Sequence, residues 1–120
     1  LLPLSWAQAR EFQLFYPVNE RQPSADDVAY LKTLAAYIQQ DTAVKKVLID
    51  GYTDDMGTSI ANRVMSEERA DEVASRLIEF GVSKSKLEIR AHGNRYPASA
   101  GSKNQSHNRR VLVRLIRTQS

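Results

Sequence analysis

Residues Ile49 to Ala70 read IDGYTDDMGTSIANRVMSEERA, and this stretch decides the fold. Its first residues finish the apolar run Val44 to Gly51 (VKKVLIDG), which reads as a buried strand. A polar turn bounded by Gly51 and Gly57 follows, and helical spacing begins near Thr58. A first helical stretch is expected over Thr58 to Val64. Ser66 then resembles an N-cap for the next helix, with Glu67 and Glu68 in the first turn, where the helix dipole favours negative charge. Ala70, Val73, Ala74, Leu77 and Ile78 form the apolar stripe of that helix. Gly81 ends it, because glycine takes the left-handed cap without a steric penalty.

Upstream of this strand–turn–helix, Glu11 to Tyr16 (EFQLFY) reads as a first strand stopped by Pro17. Ser24 to Gln40 reads as a helix, capped by Ser24 and striped by Val28, Leu31, Ala35 and Ile38. Downstream, Lys86 to His92 alternates as a strand, and Gly93 to His107 is a long polar loop. Arg109 to Arg117 (RRVLVRLIR) is a last strand with Val111, Val113 and Leu115 inward. Strand, helix, strand, helix, strand, strand argues for an α+β fold: a two-layer sandwich with helices on one face of a mixed sheet. Residues 1–10 read as an arm or linker and residues 11–118 as one domain.

Composition narrows the chemistry. The 120 residues are 42% hydrophobic and 26% charged, ordinary values for a globular domain, with a net charge of +3. There is no cysteine, which excludes thiol catalysis and thiolate metal sites. No apolar run approaches the ~20 residues that cross a bilayer. The chain opens at Leu1 and shows no signal peptide, which leaves room for a leader or preceding domain outside it.

The glycine-bounded turn lacks the Lys-Ser/Thr pair of a phosphate loop, and its aspartates would repel phosphate. Asp50, Asp54 and Asp55 lack the alternating ligand pattern of a calcium loop. No G-x-S-x-G elbow is present, and His92 and His107 lie far apart, each suited to a local hydrogen bond. The chain therefore reads as a binding module that needs no cofactor or metal, not as an enzyme. Arg109, Arg110, Arg114 and Arg117 could face a polyanion, but they alternate with core residues, and no aromatic RNA-binding motif accompanies them.

One constellation remains. Asp54 sits at a strand mouth, Arg69 is expected in the first turn of the long helix, and Asn108, Arg109 and Arg110 open the last strand. A carboxylate beside a guanidinium can hold a zwitterion. The same two residues can equally form a structural salt bridge, and the chemistry alone favours that plainer reading.

The residues also carry a resemblance. Gly51, Thr53, Asp54, Gly57, Asn62, Met65, Ser66, Arg69, Ala70 and Val73 follow the signature of the OmpA-like (OmpA/Pal/MotB) family, a G-H-T-D turn and then Leu-Ser-x-x-Arg-Ala-x-x-Val. Gly93, Pro97 and Asn108 to Val111 match its later elements. The resemblance implies a periplasmic, cell-envelope module that binds peptidoglycan through the diaminopimelate of the stem peptide, with other envelope proteins as further partners. By it, Asp54 would hold the amino group and Arg69 the carboxylate. Asn62 and Arg109 would support the pocket, and Thr53 and Met65 would line it. It further implies that Asp54→Ala and Arg69→Ala lose wall binding with the fold largely intact.

Three positions depart from the family pattern. Tyr52 stands for the usual His, Met65 for Leu, and Tyr16 for the acidic residue after the first-strand Phe. The change at Tyr16 removes one pocket carboxylate, and such drift is similar to that of the flagellar stator-associated MotY type. It also raises the alternative of a protein-interaction module with a degenerate pocket.

Overall fold

Two side-chain caps start the two long helices. In the computed structural model, which describes residues 11–95 and 105–118, the Ser24 Oγ accepts the Asp27 amide and opens α1 (Ala25–Gln40). The Thr58 Oγ1 accepts the Ala61 amide and opens α2 (Ser59–Glu79). α2 runs unbroken through the place where a second N-cap was expected. Ser66 is buried inside it; its hydroxyl donates to the Arg63 carbonyl at 2.8 Å and accepts the Gly93 amide at 3.0 Å. Arg69 therefore lies in the middle of the helix, not in its first turn. The stop at Gly81 is as expected. With φ at +107°, Gly81 donates to Ile78 and Val82 donates to Leu77, which satisfies two carbonyls of the last turn.

The strands are β1 (Glu11–Phe15), β2 (Val44–Gly51), β3 (Leu87–Ala91) and β4 (Arg110–Arg117). They form one sheet in the order β1-β4-β2-β3, mixed as expected: β4 is antiparallel to β1 and to β2, and β3 is parallel to β2. Alternation sends Phe12, Leu14, Val47, Ile49, Val111, Val113 and Leu115 to one face. There they meet Leu31, Leu34 and Ile38 of α1 and Val73 and Leu77 of α2 in a single core. Each such side chain contributes about 1.5–3 kcal/mol of burial. The stripes differ in detail from the expectation: Val28 is half-buried, Leu34 takes a core place, and Ile78 is exposed. The arm 1–10 and Pro97 lie outside the described residues.

The helix-free face carries a group that sequence reading missed. The Asp50 side chain has no exposed surface, yet it accepts hydrogen bonds from Arg90 (2.7 and 3.1 Å) and Arg114 (3.1 Å) and lies 2.6 Å from His92 Nε2. Burial alone would raise its pKa; the bonds from Arg90, His92 and Arg114 outweigh that and hold it below the ordinary value. A lowered folded pKa gives stability that is present above the unfolded value of about 3.9 and is lost as pH falls through the folded value. Asp50→Asn should therefore cost about 2 kcal/mol at neutral pH, moderated because both arginines reach solvent. In chemical denaturation, the gap from wild type should close as the pH is taken below about 4. A gap that persists at low pH would mean that packing, not charge, is Asp50's contribution.

Candidate functional site

A cleft of about 390 Å³ opens between the β1–α1 loop, the β2–α2 loop and the N-terminal half of α2. Thr53, Asp54, Asn62, Met65, Arg69 and Arg109 all line it, together with Val18, Asn19 and Gly57. A shallower hollow of about 490 Å³ beside Phe15 and His107 shares the Arg109 wall but is not lined by Asp54 or Arg69, so chemistry selects the smaller cleft.

Backbone contacts bring these residues together. Gly51 ends β2 against the backbone of α2, so close that a Cβ there would lie 2.0 Å from the Ser66 carbonyl oxygen. Gly93 packs against Arg63 in the same way, with the added Cβ 3.3 Å from its amide nitrogen. The Thr53 amide donates to the Gly93 carbonyl, and Tyr52 to that of Arg110. The loop carrying Thr53 and Asp54 is thereby fixed beside the helix carrying Asn62, Met65 and Arg69.

Asp54 is buried and paired, though not with Arg69. Its Oδ2 lies 3.0 Å from Arg109 Nη1, and its Oδ1 accepts the Met56 amide at 3.3 Å. Arg109 Nε also donates to the Tyr16 carbonyl at 2.8 Å. The plain Asp54–Arg69 bridge of the sequence reading is thus replaced by an Asp54–Arg109 pair.

Arg69 is 1% exposed and donates to three carbonyls: Glu20 at 2.9 Å, Tyr52 at 3.3 Å and Pro17 at 3.3 Å. Asn19, at φ +62°, makes the tight turn that aims the Pro17 and Glu20 carbonyls inward. Desolvation pushes the Arg69 pKa down, partly opposed by Tyr16 and Asp54, yet a guanidinium stays charged. Two buried polar atoms on the cleft wall, Thr53 Oγ1 and Asn62 Nδ2, have no hydrogen-bond partner among the described residues. Unpaired groups of this kind cost about 1–3 kcal/mol each, which a ligand can recover.

The departures from the family pattern fall outside the cleft, except for Met65. The Tyr52 ring stacks on His92 (centroids 4.9 Å apart) beneath the Arg110 guanidinium at 3.8 Å. Tyr16 is buried with its ring 5.0 Å from the Arg69 guanidinium carbon. The arginines considered for a polyanion are engaged elsewhere. Arg109 holds Asp54, Arg114 holds Asp50, Arg117 bonds Asp41 and Tyr37, and Arg110 covers Tyr52. Arg114 and Arg117 are therefore tied into ion pairs.

Comparison with known proteins agrees with this architecture. The peptidoglycan-associated lipoprotein of Haemophilus influenzae is 31% identical over 108 residues, 88% of this chain and 70% of that protein. That of Buchnera aphidicola is 29% identical over 102 residues, 83% of this chain and 58% of that protein. The chain spans 39–58% of the first four such relatives. Among solved structures, the peptidoglycan-associated lipoprotein of Burkholderia pseudomallei superposes with a TM-score of 0.82 at 25% identity, covering 95% of this chain and 96% of that one. The periplasmic domain of Helicobacter pylori MotB gives 0.76 at 22% identity, covering 91% and 76%, a likeness of fold alone. The profile of the OmpA family matches residues 15–110, and the chain belongs to that family.

Proposed function

We propose that this chain binds peptidoglycan non-covalently and anchors an envelope protein to the wall from the periplasm, its ligand the diaminopimelate of the stem peptide. The observation that carries the reading is the single cleft shared by Asp54, Arg69, Arg109, Thr53, Asn62 and Met65. It offers a carboxylate for an ammonium, a guanidinium for a carboxylate and two unsatisfied polar atoms for further bonds. Met65 supplies a thioether suited to the methylene chain between the two charged ends. Arg109 holds the Asp54 carboxylate in place. The names of the relatives, peptidoglycan-associated lipoproteins and outer membrane protein P5, support the envelope setting. Among the described residues no helix is long and apolar enough to cross a membrane. The reading is one of binding, with no catalytic step.

The alternative of a degenerate interaction module depended on Tyr16 blocking or neutralising the pocket. Tyr16 does not line the cleft, which weakens that alternative.

Co-sedimentation with sacculi that contain diaminopimelate tests the proposal. Asp54→Ala should weaken binding roughly tenfold or more, because it removes the ammonium contact and also leaves the Arg109 guanidinium without its countercharge on the cleft wall. Arg109→Ala should lose less, roughly tenfold or under, because it acts partly by holding Asp54. Wild-type protein that stays in the supernatant while well folded would turn the assignment toward a protein partner.

A further inference from the structure

Resting on the wall-binding reading of this cleft, we infer that it recognises its ligand chiefly through a carboxylate, with the ammonium contact secondary, and that Tyr16 sets this order.

The charges are unevenly compensated. Arg21, at the rim, is paired with Glu68. Asp54 is already countered by Arg109 at 3.0 Å and also bonded by the Met56 amide. An arriving ammonium therefore gains only a share of a carboxylate that is already in use. Arg69 stands differently. Among the described residues no carboxylate lies within ion-pair distance of it; its partners are three neutral carbonyls and the face of Tyr16.

Carbonyl bonds orient a guanidinium but do not cancel its charge, and three of its five N–H donors are taken, which leaves two. The Tyr16 ring beside it supplies quadrupole attraction and no countercharge. The cleft thus holds two guanidinium charges against one carboxylate until an anion enters. The downward push on the Arg69 pKa by desolvation is consistent with a charge held with little compensation.

Three soluble stem peptides, used as competitors in sacculus co-sedimentation of the wild-type domain, test the order. One is unmodified, one has the end carboxylate of its diaminopimelate amidated, and one lacks the end amino group. Amidation should weaken competition by at least about tenfold, and loss of the amino group by about threefold or less. Equal losses, or the reverse order, would overturn the inference while leaving wall binding intact. Failure of the unmodified peptide to compete would overturn the cleft assignment, and this inference with it.

Tyr16→Glu, which puts a carboxylate against Arg69, should shrink the amidation effect to about threefold or less. Tyr16→Phe should keep it, since the Tyr16 hydroxyl has no hydrogen-bond partner among the described residues. If Tyr16→Glu does not fold, the three-peptide comparison on wild type still decides.

Discussion

Replacing Gly51 with alanine is expected to lift α2 from the sheet and lower stability by about 3 kcal/mol or more, at the top of the range for overpacked cores. The added Cβ would sit 2.0 Å from the Ser66 carbonyl oxygen and 2.8 Å from its carbon. These are backbone atoms in mid-helix, so no side-chain rotation relieves the clash. Ser66 is also tied to Gly93 through its hydroxyl, so a shift of the helix strains that bond too. Because Thr53 and Asp54 follow two and three residues after Gly51 while Asn62, Met65 and Arg69 ride on α2, the same shift should open the cleft and weaken wall binding. A urea titration beside a sacculus assay reads both effects. Gly57→Ala is the control: φ is +90°, but among the described residues the added Cβ would meet only the Asn62 Oδ1 at 3.4 Å, so a cost of about 1 kcal/mol is expected. An unchanged midpoint for Gly51→Ala would show that the sheet and helix have slack between them.

The legible parts of the fold are those set by local pattern. The Ser24 cap, the apolar face of α1, the alternation of β4 and the glycine stop at Gly81 all follow from residues within a few positions of each other. Ser66 misled because a serine followed by two glutamates is also what a helix start looks like. Its actual partners are the Arg63 carbonyl and the Gly93 amide, the latter 27 residues away. The Asp50 network escaped notice for a related reason. Arg90 and Arg114 flank Asp50 only because β2 lies between β4 and β3, and no local signal states that order. In the cleft, residue chemistry singled out Asp54, Arg69 and Arg109 and the family resemblance added Thr53, Asn62 and Met65, while the pairing was invisible: Asp54 reaches Arg109 across 55 residues, and Arg69 bonds to carbonyls, which carry no sequence signature.

The carbonyls around Arg69 also change what its removal should do. The sequence reading has Arg69→Ala lose binding with the fold largely intact; the structure calls for a loss of both. Arg69 draws the Pro17 and Glu20 carbonyls of the β1–α1 loop and the Tyr52 carbonyl of the β2–α2 loop onto one guanidinium. Alanine would take a donor away from three inward carbonyls and leave a cavity beside Tyr16, an expected cost of about 3 kcal/mol. Wall binding should fall by roughly a hundredfold or more, since the guanidinium and the loop arrangement go together. Arg69→Lys separates the two. Lysine keeps the charge but lacks the planar fork that reaches both loops, so it should recover little stability. Measuring both variants by thermal melt and by binding at a temperature where each is folded distinguishes the roles. If Arg69→Ala melts with wild type yet fails to bind, the guanidinium serves the ligand alone. If both variants melt low and Arg69→Lys binds better than Arg69→Ala, charge and architecture are two separable contributions of one side chain.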